Sequence, residues 1–200
     1  MPGGALTPLP PGAVIGILGG GQLGRMTAQA AASLGYRSHI YGPEADAPAT
    51  QVTPLSTQAD YTDQAALRDF AKAVDVVTYE FENVPFAAAE TLARYVPVRP
   101  GPGVLHICQN RLREKNFCNE SEVPTAPYAA VADLAALRQQ VEKIGRPCVL
   151  KTAEMGYDGK GQAMIDRDSD LEAIWPSFAT AAATSGVILE GFIDFRLEIS

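Results

Sequence analysis

The spacing of apolar positions changes several times along these 200 residues, and each change marks an element. The run Val14 to Leu18 (VIGIL) is short, apolar and closed by glycines, which predicts a buried strand. The period then lengthens. Leu23, Met26, Ala30 and Leu34 recur at helical spacing, so a helix is expected from about Gln22 to Leu34 with those side chains on its buried face and Gly35 as its C-terminal cap. Arg37 to Tyr41 reads as a second strand, while the Pro- and Ala-rich stretch from Gly42 to Asp60 shows no clear period and receives no assignment. Thr62 or Asp63 can cap a helix carrying Leu67, Phe70, Ala71 and Val74 on one face. Asp75 to Glu82 (DVVTYEFE) follows as a strand with acids at its C-terminal end, and Pro85 opens a helix running to about Tyr95. Strand and helix thus alternate through the first hundred residues, the pattern of a parallel sheet with right-handed crossovers.

The run Pro97 to Gly103 (PVRPGPG) interrupts that pattern and is a candidate boundary. Beyond it, NRLREKNF is a basic helical stretch with a poor apolar stripe, and VPTAPYAAV is extended. Asp133 caps a helix with Leu134, Leu137, Val141 and Ile144 on one face, stopped by Gly145 and Pro147. CVLKTAEMGYDGKGQAMI reads as strand, glycine-rich loop and strand. A helix from about Asp168 to Ser185 and the strand VILEGFI come next, and the chain stops at RLEIS, inside what reads as another strand. No internal repeat is visible. The expected organisation is a tail (1–12), an α/β domain on a parallel sheet (13–102) and a second domain (103–200).

Composition narrows the function. A chain of this length can bury a sizeable core, and 46% hydrophobic with 20% charged residues describes a globular, soluble protein. The net charge of -7 argues against a nucleic-acid partner, which calls for a basic face, but not against a small anion that reads only the local field. No apolar run approaches a membrane span. The opening MPGGALTPLPPG lacks the basic and apolar regions of a signal peptide and reads as a flexible tail. Cys108, Cys118 and Cys148 are odd in number and far apart, and the histidines are His39 and His106. That inventory argues against zinc or disulfide frameworks and for reduced thiols in a cytosolic protein.

Two glycine-rich stretches carry candidate chemistry. Gly19-x-Gly21-x-x-Gly24 has the spacing of a dinucleotide fingerprint, a weak signal alone. An NAD oxidoreductase would also need an acid closing the second strand near Tyr41, which Gly42-Pro43-Glu44 satisfies poorly. The second stretch is Gly156-Tyr157-Asp158-Gly159-Lys160-Gly161-Gln162, which begins five residues after Lys151 ends an apolar strand. Its backbone N–H groups can approach an anion closely. The strand resumes afterwards, so the loop is a hairpin cover over a ligand. It is not a P-loop, because Gly161 follows Lys160 where Ser or Thr would be required. An ordinary glycine-rich hairpin with one exposed lysine would show the same spacing.

Five motifs stand in order: GGGQLGRM, YEFENVP, QNRLREKNF, VLK with TAEMGYDGKGQ, and ILEGFI. Together, from about Val14 to Ser200, they resemble the ATP-grasp enzymes, and among them the ligases that carboxylate aminoimidazole ribonucleotide in purine biosynthesis. The resemblance implies an α/β fold: a Rossmann-like, parallel-sheet pre-ATP-grasp domain that takes no NAD, followed by the first part of an ATP-grasp domain. It implies ATP, bicarbonate and 5-aminoimidazole ribonucleotide as small-molecule partners, carboxyphosphate as intermediate, magnesium as cofactor, a cytoplasmic location, no membrane, and a homodimer when full length.

Residue roles follow from the same resemblance. Arg111 and Lys151 would bind ATP phosphates, with Gly156, Tyr157, Asp158, Gly159, Lys160, Gly161 and Gln162 folding over them. Glu190, Gly191, Phe192 and Ile193 would meet the adenine edge, and Glu198 would accept from the ATP ribose. Tyr157, Asp158 and Lys160 would face the imidazole ribonucleotide, Asp158 and Lys160 being the candidate catalytic residues and Asp158 the orienter of the amine. Gly21, Gln22, Leu23 and Glu80 are further substrate candidates, since ligands sit at the C-terminal ends of parallel strands. There glycines can admit a phosphate to a helix N-terminus, and carboxylates can accept from ribose hydroxyls. Glu80 and Glu82 can equally serve as caps near Pro85.

Two positions depart from the family pattern: Met155, where a second glycine is expected, and RLEIS, where Glu-Val-Ser is commoner. The family's magnesium ligands fall beyond Ser200, so no metal ligand is placed, and the 200-residue chain alone is not expected to turn over. A formate-dependent glycinamide ribonucleotide transformylase would share the loop, but YEFENVP favours the aminoimidazole enzyme; a non-catalytic nucleotide-binding fragment is the third reading.

Overall fold

Four short strands build the first sheet in the order β3-β2-β1-β4: β1 (Val14–Leu18), β2 (Arg37–Gly42), β3 (Leu55–Gln58) and β4 (Val76–Tyr79). Every pairing is parallel, and Ile17 lies between Ile40 and Thr78. Helices α1 (Gln22–Ser33), α2 (Gln64–Lys72), α3 (Phe86–Leu92) and α4 (Pro102–Cys108) complete this part. β1 is apolar throughout because both of its faces are covered. Leu18 packs in a cluster with Leu67, Phe70 and Leu92, and Ile17 in a second with Ala28, Ile40 and Ala49. The Asp63 carboxylate starts α2 by accepting from the N–H groups of Ala65 and Ala66, each at 3.0 Å.

The computed structural model describes residues 8–155, 161–197 and 199, which divide into two compact units, residues 1–106 and 107–200. The second unit holds an antiparallel sheet in the order β5-β8-β6-β7: β5 (Tyr128–Ala130), β6 (Cys148–Thr152), β7 (Gln162–Ile165) and β8 (Val187–Gly191). Its helices are α5 (Arg111–Glu120), α6 (Leu134–Ile144), α7 (Leu171–Ile174) and α8 (Ala179–Ala183). The pleat sorts the side chains. Cys148, Leu150, Ile165 and Leu189 enter the core with Leu137 and Val141 of α6, which leaves Val149, Lys151, Gln162, Met164 and Glu190 for the other face. The fold is therefore α/β, a Rossmann-like parallel-sheet unit followed by an antiparallel α+β unit. No helix among the described residues is long and apolar enough to cross a membrane.

Several elements differ from the sequence expectation. The buried face of α1 is Gly24, Ala28 and Ala31, whereas Leu23, Met26 and Leu34 are 57, 56 and 71% exposed, and Ala30 is exposed too. Small residues let the helix backbone come close to the sheet, and larger ones would overpack it. β3 lies in the stretch left unassigned; its four residues Leu-Ser-Thr-Gln alternate half-buried and exposed, too short a pattern to register. β4 and α3 stop at Tyr79 and Leu92, short of Glu82 and Tyr95. The helix expected from Asp168 to Ser185 is broken into α7, a 3-10 turn Trp175–Ser177 and α8, because Pro176 has no N–H to donate. β8 ends at Gly191, and the described residues beyond it belong to no strand. The expected tail is fastened at its end: the Tyr36 hydroxyl donates to the Leu9 carbonyl at 2.9 Å and the Gly12 N–H to the Gly35 carbonyl at 2.7 Å.

Candidate functional site

In the second unit, β6, β7 and β8 form the floor of a cleft of about 310 Å³. Lys151 and Gln162 face each other across the β6–β7 ladder, and Val149 lies opposite both Met164 and Glu190. Alternation therefore puts these five side chains on one surface. Phe192, Ile193 and Phe195, past the end of β8, complete a mostly apolar wall. One end is polar: Lys151 Nζ lies 2.9 Å from Glu190 Oε2, and Glu190 is only 8% exposed. A carboxylate this buried is tolerated because it is paired.

α5 delivers Arg111 to the same strand end. The Asn110 side chain caps the helix by accepting from Leu112 at 3.0 Å and Arg113 at 3.3 Å. The Arg111 guanidinium then donates to the Thr152 carbonyl at 3.0 Å, and its backbone N–H to Ala153 at 2.9 Å. Lys151, Gln162, Glu190, Gly191, Phe192 and Ile193 thus share one cleft, with Arg111 anchored to the residue after Lys151. Gly161 has φ +71, and a Cβ there would meet Thr152 Oγ1 at 2.9 Å, so glycine closes the hairpin. Gly156, Tyr157, Asp158, Gly159, Lys160 and Glu198 lie outside the described residues. Sequence reasoning passed over Met164, Phe195 and Lys115. The last was detectable, since it stands one helical turn after Arg111.

In the first unit the glycine turn meets Glu80. That carboxylate accepts from the Gly21 N–H at 2.8 Å and from the Gly24 N–H, so the N-terminus of α1 is closed by a side chain of the chain itself. A Cβ at Gly21 would lie 2.6 Å from Glu80 Oε1, and one at Gly19 2.6 Å from its Cγ. A side chain at Gly19, Gly21 or Gly24 would collide with Glu80, which accepts from the Gly21 and Gly24 amides of the turn where a phosphate is expected. The adjoining cavity of about 220 Å³ is lined by Glu44, Asp46, Tyr61, Glu80 and Phe81 beside Gly19 to Gly21. Three acids in the wall suit a hydroxyl or amine donor better than a phosphate. Burial pushes the Tyr61 phenol up, and the Glu44 and Glu80 charges add to it. Gln22 and Leu23 open α1 and are exposed, outside this lining.

Residues 13–109 match the ribonucleotide synthetase preATP-grasp domain, and residues 116–200 the ATP-grasp domain. The N5-carboxyaminoimidazole ribonucleotide synthase of Brucella melitensis biotype 1 is 46% identical over 194 residues, covering 97% of this chain and 53% of that protein. The N5-carboxyaminoimidazole synthetase of Staphylococcus aureus complexed with ADP superposes with TM-score 0.85 at 34% identity, over 94% of this chain and 49% of that one. The Aspergillus clavatus N5-carboxyaminoimidazole synthase, in complex with ADP and 5-aminoimidazole ribonucleotide, gives TM-score 0.79 at 26% identity, over 92% and 48%. A Rossmann-like unit followed by this cleft-bearing unit defines the ATP-grasp class. Along both domains the chain is similar to N5-carboxyaminoimidazole ribonucleotide synthases, and it spans about half the length of the relatives described above.

Proposed function

We propose that the chain binds ATP in the cleft of its second unit and serves the ATP- and bicarbonate-dependent carboxylation of 5-aminoimidazole ribonucleotide to its N5-carboxy derivative. The observation that carries this reading is the Lys151–Glu190 pair at the polar end of an otherwise apolar cleft. A purine needs apolar walls and a few polar contacts at its edge. Val149, Met164, Phe192 and Ile193 are suited to be the walls, and the backbone from Gly191 to Ile193 to meet the edge. Lys151 stands where a cation can turn to the phosphates, with Arg111 beside it.

In the reaction, bicarbonate takes the terminal phosphoryl group and ADP leaves. Carboxyphosphate splits to carbon dioxide and phosphate, and the ribonucleotide's exocyclic amine attacks the carbon and gives up a proton. The protein's contribution is to neutralise and position anions. Asp158 and Lys160 are assigned beside the amine, Asp158 to orient it, and Glu198 to the ATP ribose. The acidic cavity of the first unit is assigned to hydroxyl and amine groups of the ribonucleotide. Among the described residues no three His, Cys, Asp or Glu side chains come together to hold a metal ion, so magnesium is given no ligand here. A homodimer and a cytoplasmic location belong to the same reading.

The engagement of Glu80 with the Gly21 and Gly24 amides speaks against an NAD oxidoreductase, whose pyrophosphate would need those amides. Parallel calorimetric titrations with ATP, NAD and aminoimidazole ribonucleotide test the reading. Heat of binding with ATP and none with NAD is expected; binding of NAD without ATP would overturn it.

A further inference from the structure

The Lys151 ammonium bonds only one oxygen of Glu190. The other, Oε1, faces a second lysine: Lys115 Nζ stands 3.6 Å away. The two lysines differ in position. Lys151 lines the cleft, and Lys115 approaches from α5, outside the lining.

α5 buries none of its side chains and is fixed by polar contacts. Asn110 donates to Glu154 at 3.0 Å and to the Ser185 carbonyl at 3.2 Å. Tyr128, directly opposite Glu190 in the β5–β8 ladder, donates its hydroxyl to Asn116 at 2.7 Å and accepts from Asn119 at 3.0 Å. That latch sets the Tyr128 ring beside Lys115, with the ammonium 5.6 Å from the ring centroid. Lys115 is 17% exposed at its side chain, held between an aromatic face and a carboxylate.

A polyphosphate that recruits Lys151 takes away one of Glu190's two cations. A carboxylate 11% exposed cannot lose all its partners without a large desolvation penalty. We infer that Lys115 is a positioning residue of the nucleotide site: it remains beside Glu190 as its cation and keeps the carboxylate aimed while Lys151 turns to the phosphates. Oε2 is then free to accept from an exocyclic amine on the base. Adenine offers that donor where guanine presents a carbonyl, so Lys115 acts on base discrimination through Glu190. This rests on the ATP reading of the cleft.

The test titrates the chain and its Lys115→Met, Lys115→Arg and Tyr128→Leu variants with ATP, GTP and inorganic tripolyphosphate, with folding checked by circular dichroism. The wild type is expected to prefer ATP to GTP. Lys115→Met should weaken ATP about tenfold and shrink the ATP-to-GTP ratio, with tripolyphosphate changed less than about threefold. Lys115→Arg should restore most of the ratio. If Lys115→Met does not fold, Tyr128→Leu, which keeps the charge and removes its support, must show the same loss of discrimination. Equal losses for ATP and tripolyphosphate would make Lys115 a phosphate contact and overturn the inference. Unchanged ATP binding in Lys115→Met would overturn it too and leave the ATP reading standing. A wild-type chain that binds no ATP ends both.

Discussion

The Glu80 carboxylate accepts a hydrogen bond from the backbone N–H of Gly24, 56 residues away in the chain, and a second from Gly21 at 2.8 Å. The glycine fingerprint of the first unit is thus a socket for an internal acid. Removing the acid leaves two amides at a helix N-terminus without their charged acceptor. Glu80→Ala should cost about 2–3 kcal/mol of stability, the scale of charge-assisted hydrogen bonds. Gly24→Ala should cost about 1–3 kcal/mol, since its new methyl meets Glu80 and the Gly19 carbonyl. Urea-unfolding midpoints read both, and wild-type stability in Glu80→Ala would show that the socket is not structural.

The face of α1 gives a sharp contrast. Leu23→Gln and Met26→Gln should each change stability by less than about 0.5 kcal/mol, because both side chains are more than half exposed. Ala28→Leu should cost about 1–3 kcal/mol by overpacking against Ile17 and Ile40. Thermal melts that reversed this order would restore the apolar stripe read from the sequence.

That stripe shows where legibility ended. Runs such as VIGIL and the Leu137–Val141 face were readable because burial there is achieved by large apolar side chains. The α1 contact is made by Gly24, Ala28 and Ala31, whose smallness is the point and which no hydrophobicity count rewards. β3 offers one apolar residue on an edge, and Pro176 marked a break that the surrounding alanines obscured. In the site, Lys151, Arg111 and the segment after β8 were legible through motif order. The Lys115–Glu190 approach was not, because 75 residues and an antiparallel ladder separate the partners.

Stability should fall at high pH through Tyr41. Its ring is fully buried, its hydroxyl donates to the Asp60 carbonyl at 2.8 Å, and burial, with the Asp63 and Asp60 charges, pushes its pKa up to about 12. A raised phenol pKa means stability present below the ordinary value of 10 and lost between there and about 12, by about 2–3 kcal/mol. Tyr61 is shifted in the same direction and adds to the loss. His39 acts at the other end: desolvation lowers its pKa, so its contribution is present above 6.5 and is lost on acidification. Urea midpoints at pH 9 and pH 11 should diverge less in Tyr41→Phe than in the wild type; an equal divergence would assign the slope elsewhere.

Met155 occupies φ +57, a left-handed conformation, at the position where the family pattern calls for glycine. Its side chain is 73% exposed, so little packing is lost on removal. Met155→Gly relieves about 1–2 kcal/mol of backbone strain against about 0.5–1 kcal/mol of chain entropy, for a net gain of about 0.5–1 kcal/mol. A lowered melting temperature in that variant would contradict the assignment of strain.

The central claim is that the Lys151–Glu190 cleft holds ATP, with Lys151 turning from the carboxylate to the phosphates. Calorimetric titration of ATP into the folded chain and into its Lys151→Ala variant tests it most directly. Affinity should fall by about 1.5–3 kcal/mol in the variant, the scale of a hydrogen bond to a charged group, with its unfolding midpoint still showing a folded protein. Equal ATP affinity in the two folded proteins would contradict the account.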